Sequence, residues 1–255
     1  MQLQMPAELA QSYKSKAQQA RVVTEAWGKT ELFCANCKSS SLGETPANNR
    51  AIDFICPSCD APFQLKAKSG IIDKTIHDGA YSAMLQAVRE DRTPNLLLMR
   101  YAPTTWRVVD LILIPSFAFP ESAIIKRNPL APTARRAGWI GCNIDLSRIA
   151  PEARIPIIAS SLPATSAKVR ASYEKLKPLR EIKAAQRGWT LDVLNIVRSL
   201  GKTEFTNDDV YARDRELEQL HPGNKNVRPK IRQQLQVLRD AGLLIHVKEG
   251  HWRSV

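Results

Sequence analysis

Apolar residues recur along this chain at two spacings. Over residues 6–28, Leu9, Tyr13, Ala17, Ala20, Val23 and Trp27 stand near helical spacing, which predicts an amphipathic helix. Ile52 and Phe54 flank Asp53, while Phe63, Leu65 and Ala67 alternate with Gln64, Lys66 and Lys68. A period of two predicts a pair of strands, turned through Cys56 to Pro62. Asp78 to Arg89 reads as a second helix. The apolar runs Leu96–Tyr101 and Val108–Ile114 read as core strands of a mixed sheet. Pro129 to Trp139, dense in Pro, Gly and Arg, reads as an ordered loop, and Ala159–Pro178 as a linker.

Beyond Trp189 the period turns helical. Thr190–Leu200 stops at Gly201. Thr206-Asn207-Asp208-Asp209 is a capping box that opens a second helix running to about Leu220. A third spans Val227 to Ala241 and stops at Gly242. Leu243–Val247 and His251–Ser254 then form a hairpin. Three helices and a terminal hairpin are the winged helix-turn-helix order. The expected fold class is mixed α+β. Residues 1–180, with a linker at about 159–180, form one domain, and residues 181–255 form a winged-helix domain.

Composition narrows the class. With 44% hydrophobic and 24% charged residues, the 255-residue chain has globular content, which disfavours disorder. No run approaches the roughly 20 apolar residues of a membrane helix. Met1 to Lys14 lacks a basic stretch followed by an apolar one, so a cytoplasmic protein without a secretory signal is expected. The net charge of +12 favours a polyanionic partner. It is unevenly spread: residues 1–180 hold 24 basic and 15 acidic residues, and residues 181–255 hold 13 and 10.

Four of the five cysteines form Cys34-x2-Cys37, then 18 residues, then Cys56-x2-Cys59. A two-residue gap aims two thiolates at one ion, and two such knuckles complete a tetrahedron without an open position. That suits one structural zinc per chain. A reducing compartment disfavours the alternative of two disulfides. Cys142 reads as a small core residue, and His221, His246 and His251 show no metal-ligand spacing.

The second knuckle sits inside the predicted strand pair. Gln64 and Lys66 share a face, and Asp53 on the partner strand can meet them. An acid on one strand and an acid or amide two before a lysine on its neighbour is the PD-(D/E)xK nuclease arrangement. Phosphodiester hydrolysis uses a divalent ion. Asp53 and the carbonyl oxygen of Gln64 are hard ligands for magnesium, and the Lys66 ammonium can stabilise phosphoryl charge. On the pattern alone, a solvated strand face reads as well. Glu25 on the first helix is a weaker candidate for a third acid.

Larger blocks then become recognisable. The knuckles, Asn48-Asn49-Arg50, Asp53, Leu65-Lys66, His77-Asp78-Gly79-Ala80-Tyr81, the run from Pro129 to Ser147, and Lys230 to Asp240 together resemble the DpnI family of methyl-directed type II restriction endonucleases. The resemblance covers nearly the whole chain. It implies a zinc-containing PD-(D/E)xK domain followed by a winged helix, both contacting methylated DNA. It also implies cleavage of double-stranded GATC when the adenine carries a methyl group. One position departs: the family pattern has a glutamate where this chain has Gln64. Similar Gln-x-Lys sites occur in Mrr-type nucleases, so Gln64 reads as a tolerated variant.

Candidate DNA contacts follow. Arg135 and Arg136 beside Trp139 suit a groove, and the resemblance makes Trp139 the leading methyl sensor. In the third helix of the C-terminal domain, Ile231, Leu235 and Leu238 face the core. That leaves Lys230, Arg232, Gln233, Gln234, Gln236 and Arg239 for base edges and phosphates. The expected protein is a monomer in solution that acts on methylated double-stranded DNA. Two alternatives stay open: a methyl-DNA-binding regulator with a dead nuclease site, and a zinc ribbon with a winged helix unrelated to methylation.

Overall fold

The structure is a computed structural model that describes residues 1–45 and 51–255. Asn48-Asn49-Arg50 lies outside the described residues. In chain order the elements are helix α1 (Lys16–Glu31), strands β1 (Gly43–Glu44), β2 (Phe54–Ile55), β3 (Pro62–Lys68) and β4 (Thr75–Ala80), and helix α2 (Tyr81–Arg89). Strands β5 (Asn95–Ala102), β6 (Arg107–Ile114), β7 (Ile124–Lys126), β8 (Gly141–Asp145), β9 (Ile155–Ala159) and β10 (Leu162–Pro163) follow. The C-terminal part holds α3 (Ser166–Leu176), α4 (Ala184–Ser199), β11 (Glu204–Thr206), α5 (Asn207–Tyr211), α6 (Asp214–Leu220), α7 (Val227–Asp240), β12 (Leu244–Lys248) and β13 (His251–Ser254). No described helix is long and apolar enough to cross a membrane.

Contacts gather the residues into two compact units. The first comprises Met1–Asp73, Thr93–Ser116 and Glu152–Glu174; the second comprises Lys74–Arg92, Phe117–Pro151 and Lys175–Val255.

The first unit is built on a seven-stranded mixed sheet in the order β1-β2-β3-β5-β6-β9-β10. Its centre is β5, where Leu96, Leu97, Leu98 and Met99 are all buried, because a central strand covered on both faces has no solvent side to alternate with. Strand β3 runs parallel to β5 and antiparallel to β2. Asn95, itself buried, ties the strand ends: its amide donates to the Pro62 carbonyl, while its oxygen accepts from Ser116 N and Tyr173 Oη. Helix α1 lays Val23, Thr24, Trp27 and Gly28 on the sheet. The expected helix over 6–28 is in fact two pieces, a 3-10 turn at Ala7–Ser12 and then α1. Tyr13 is extended, and Ser15 caps the new start with non-helical backbone. The stretch expected as a linker holds β10 and α3. Arg170 on α3 donates to the carbonyls of Cys34 at 3.0 Å and Ser39 at 2.7 Å, and lies over the Phe33 ring.

In the second unit β4, β8 and β7 form an antiparallel sheet in the order β4-β8-β7. Residues 78–80, expected to open a helix, are the end of strand β4 (Thr75–Ala80), in which Ile76 is buried and pairs with Ile144. Helix α2 starts only at Tyr81. Helices α4 to α7 and the sheet β11-β13-β12 make the winged helix. Its capping box is formed reciprocally between Thr206 and Asp209. The helix expected from Thr206 to Leu220 breaks into α5 and α6 around Arg213. Asp192 of α4 is 3% exposed, accepts from Ser122 Oγ at 2.5 Å and pairs with His221 Nε2 at 2.8 Å. The His221 ring stacks on Trp189.

Candidate active site

The zinc-type cluster shapes the hairpin that carries the acid. The β2–β3 turn runs from Cys56 to Ala61. Cys56 N–H donates to the Ala61 carbonyl at 3.0 Å, and Asp60 takes a positive φ of 55° to close the knuckle. The four sulfurs of Cys34, Cys37, Cys56 and Cys59 lie within 4.8 Å of one another, with Cys34–Cys59 at 3.7 Å and Cys37–Cys56 at 3.5 Å. Corners of a tetrahedron drawn at the zinc–sulfur distance stand about 3.8 Å apart, so the donor set and spacing fit a zinc ion. Burial pushes the Cys34 thiol up. Burial acts the same way on Cys56. There, hydrogen bonds from the Ser58 and Cys59 backbone and from Cys37 and Cys59 outweigh it and bring the thiol down to about 7. A thiol that ionises this readily is a ready metal ligand.

The same hairpin aligns Asp53 with β3. Asp53 N–H donates to the Phe63 carbonyl at 2.9 Å, which extends the β2–β3 pairing by a residue. Its Oδ2 accepts the Leu65 N–H at 2.7 Å. Leu65 lies between Gln64 and Lys66, so the Asp53 carboxylate is pinned beside both. All three side chains are half-buried. The hairpin thus sets the three residues at neighbouring backbone positions, with Leu65 N–H as the partner of the Asp53 carboxylate. Asp53 and Gln64 offer the hard oxygen donors that suit magnesium. Glu25 on α1 is engaged by Arg21, whose Nε donates to its carboxylate at 2.8 Å.

Trp139 closes the loop between β7 and β8. Leu130 N–H donates to its carbonyl at 2.9 Å, and Gly138 N–H donates back to Leu130 at 3.0 Å. The ring is half-buried with the Arg136 guanidinium 4.7 Å from its centroid. It lies against Gly141, where a Cβ would come within 2.8 Å of two ring atoms, so glycine permits this close approach. Arg135 is exposed nearby in sequence. Sequence reasoning missed two neighbours of this loop. Lys126 on β7 sits over the Tyr81 ring at 5.8 Å, and Arg127 N–H donates to the Gly141 carbonyl at 3.0 Å. No acid falls between Glu121 and Asp145, a stretch that holds Lys126 and Arg127, and that was the available signal, but only strand pairing joins it to Tyr81.

On α7, Arg232, Gln233, Gln236 and Arg239 are exposed and Lys230 is half-buried, donating to Gln233. Gln234 corrects the expectation. It is 2% exposed and accepts from Thr190 Oγ1 at 2.7 Å, so it faces α4 and not solvent. The reason is geometric: the buried stripe Val227, Ile231, Gln234, Leu235 and Leu238 is wider than the apolar triplet alone. Arg228 was also missed; it stacks over Tyr211 at 5.3 Å and pairs with Asp214 at 3.0 Å.

A four-thiolate cluster and a winged helix with a basic exposed face mark the class: a DNA-directed protein with a zinc-type site. Residues 1–182 match the model of the DpnI family, described as the Dam-replacing family, and residues 185–254 match its Dam-replacing HTH domain. The chain belongs to the DpnI family. It is thus a methylation-dependent restriction endonuclease with a helix-turn-helix DNA-binding domain, and DNA is its partner.

Proposed function

We propose that this chain hydrolyses phosphodiester bonds in double-stranded GATC when the adenine is methylated, as a type II enzyme of the PD-(D/E)xK type. The observation that carries the reading is the Asp53 carboxylate pinned on Leu65 N–H, between Gln64 and Lys66, in a chain of this family. Asp53 and Gln64 would hold magnesium, which when bound would supply the positive charge that polarises a phosphate and activates water. Lys66 places its ammonium against the charge that develops on phosphorus. Asp53 spends one oxygen on the strand, which fixes the direction of the other. Cys34, Cys37, Cys56 and Cys59 hold one structural zinc that keeps this hairpin in register. Arg135, Arg136, the half-buried Lys230 and the exposed α7 residues Arg232, Gln233, Gln236 and Arg239 contact DNA. The test is incubation with magnesium and plasmid carrying methylated or unmethylated GATC. Cutting of the methylated plasmid alone supports the reading. Tight methyl-selective binding without cutting would instead make this a binding regulator, which Gln64 is the one residue to favour.

Gln64→Glu is expected to tighten magnesium binding and to preserve or raise the cutting rate. A carboxylate adds a formal negative charge facing the ion. Magnesium titration with both forms checks this, and loss of activity in Gln64→Glu would give the amide a role of its own.

Methyl reading is apolar in this proposal. In a Watson–Crick pair the methyl on adenine's amine points into the major groove, where it displaces the amide of a bidentate Asn or Gln contact. Covering it is worth about 0.8 kcal/mol, or about a fourfold preference. Two methyls, one per strand, multiply that preference. Trp139 reads one and the α7 face the other. Trp139→Ala in the full chain is expected to cut the binding preference for methylated duplex by about fourfold at fixed salt; unchanged discrimination would move the sensor elsewhere. A 181–255 fragment is a poor substitute for this test, because it severs Asp192 from Ser122 and Arg148 from Glu216.

A further inference from the structure

The face of β3 that carries Gln64 and Lys66 does not end at Lys66. Residues two apart on a strand share a face, so Lys68 stands on it too, about 6.6 Å further along. The register carries this face across the sheet. Lys66 pairs with Leu98 and then Ile112, while Lys68 pairs with Arg100 and then Asp110. Leu98 is buried, and the outer row of Lys68, Arg100 and Asp110 is charged throughout. Its two cations are direct cross-strand neighbours. Like charges placed so destabilise a sheet, and the acid that could have separated them lies beyond Arg100, on β6. An arrangement with that cost suits a ligand that brings negative charge.

The two cations are held differently. Lys68 Nζ meets Asp73 at 2.9 Å in a pair whose side chains are 37% and 69% exposed, and such pairs contribute little and part readily. Arg100 is fixed. Its Nε donates to Asp110 Oδ2 at 2.5 Å, and Asp110 Oδ1 accepts the Ser160 N–H at 2.8 Å. Ser160 and Ser161 take positive φ values of 49° and 63°, which cost a non-glycine residue energy. Ser161 N–H donates to the Val109 carbonyl at 2.7 Å. This strained turn thus sends both backbone donors to β6, at Val109 and Asp110, and so sets the carboxylate that aims Arg100. Because Asp110 engages Nε, the terminal amino groups of the fork suit a bidentate phosphate contact.

We infer that Lys68 and Arg100 bind a DNA phosphate next to the one cleaved, Arg100 as a preset fork and Lys68 as a second charge released from Asp73. This contact seats the scissile phosphate beside Gln64 and Lys66. It rests on the function proposed above and names part of the substrate contact of that centre. Magnesium is commonly held by one or two carboxylates together with substrate phosphates. Of Asp53, Gln64 and Lys66, only Asp53 brings a negative charge, so an ion there would depend the more on a phosphate held in place. Lys68 and Arg100 lie outside the reacting atoms and act on where that phosphate sits.

The experiment uses full-length protein and methylated GATC duplexes in which a single phosphate near the cut is replaced by an uncharged methylphosphonate, one position per duplex. Cutting is followed in magnesium, and binding in calcium as a non-cutting ion. In wild type, one replacement beside the cut is expected to slow cutting by about tenfold or more. Lys68→Ala and Arg100→Lys are expected to lose a similar factor on the natural duplex and little more from that same replacement. Replacements elsewhere should slow them as they slow wild type. Lys68→Ala should also reduce the slope of log affinity on log salt by about one. Arg100→Lys keeps the charge facing Asp110 and removes only the fork, and unchanged zinc content and melting temperature show that both variants fold. Wild-type cutting by either variant, or losses that add to the replacement at every position, overturns the inference. If wild type binds methylated duplex without cutting it, the endonuclease reading fails. The same comparison read as binding in calcium then decides on Lys68 and Arg100. A replacement that weakens wild type and spares the variants supports the subsite, and equal weakening of all three overturns it.

Discussion

Asp53→Ala should lower cleavage of methylated plasmid by about 10³-fold or more, with binding of the same duplex in calcium changed little, and Lys66→Ala should do likewise. The magnitude follows from what each removes. Deleting one preorganised charge-stabilising donor costs on the order of 10² to 10³ in rate. Deleting an ion ligand also forfeits the polarisation and the activated water that the ion supplies. DNA affinity, by contrast, comes mostly from phosphate contacts spread over many basic side chains. Asp53→Ala has a second cost that Asp53→Asn separates. The carboxylate accepts the Leu65 N–H on β3, so alanine leaves that donor without its partner. Asparagine keeps an acceptor there but takes away the charge. If Asp53→Asn is as dead as Asp53→Ala, the loss is ionic rather than structural. Full cutting by either variant would place the centre elsewhere.

The features legible in the sequence were those whose cause is local. Alternation by two exposed β3 and put Gln64 and Lys66 on one face, since the pleat alone decides that. The capping box at Thr206 and Asp209 is a contact within one turn, and it forms. Cysteine spacing expresses a backbone turn, and the four sulfurs do converge. What the sequence hid depends on distant partners. Gln234 looked like a surface amide on a polar face, but Thr190, 44 residues away, draws it inward. Residues 166–176 looked like linker because they are short of large apolar side chains. Their helix is fastened by Arg170 to a carbonyl 131 residues earlier. At β4, a glycine and a histidine weaken the strand signal, and pairing with β8 supplies what propensity does not. Tyr81 and Lys126 meet for the same reason.

Cys56→Ser should abolish zinc binding and unfold the first unit, with loss of near-ultraviolet dichroism and of soluble protein. The comparison of magnitudes decides how severe this is. A structural four-ligand zinc site contributes an apparent binding energy of about 10–16 kcal/mol at neutral pH. A whole domain is stable by only about 5–15 kcal/mol. Nothing else in the hairpin makes up such a loss. Strand β2 is two residues long, and β1 beside it is two as well. The damage also spreads along named bonds. Arg170 hangs α3 on the carbonyls of Cys34 and Ser39, so a melted first knuckle frees that helix. Asp53 lies three residues before Cys56, so a melted second knuckle frees the acid. Stripping wild-type protein with a strong chelator should therefore stop cutting even after excess magnesium is restored. Added zinc should bring back both dichroism and activity, because the zinc acts through the fold and the magnesium through the chemistry. A well-folded zinc-free protein by elemental analysis would refute the structural role, and recovery of cutting with magnesium alone would show that the knuckles hold the hairpin without metal.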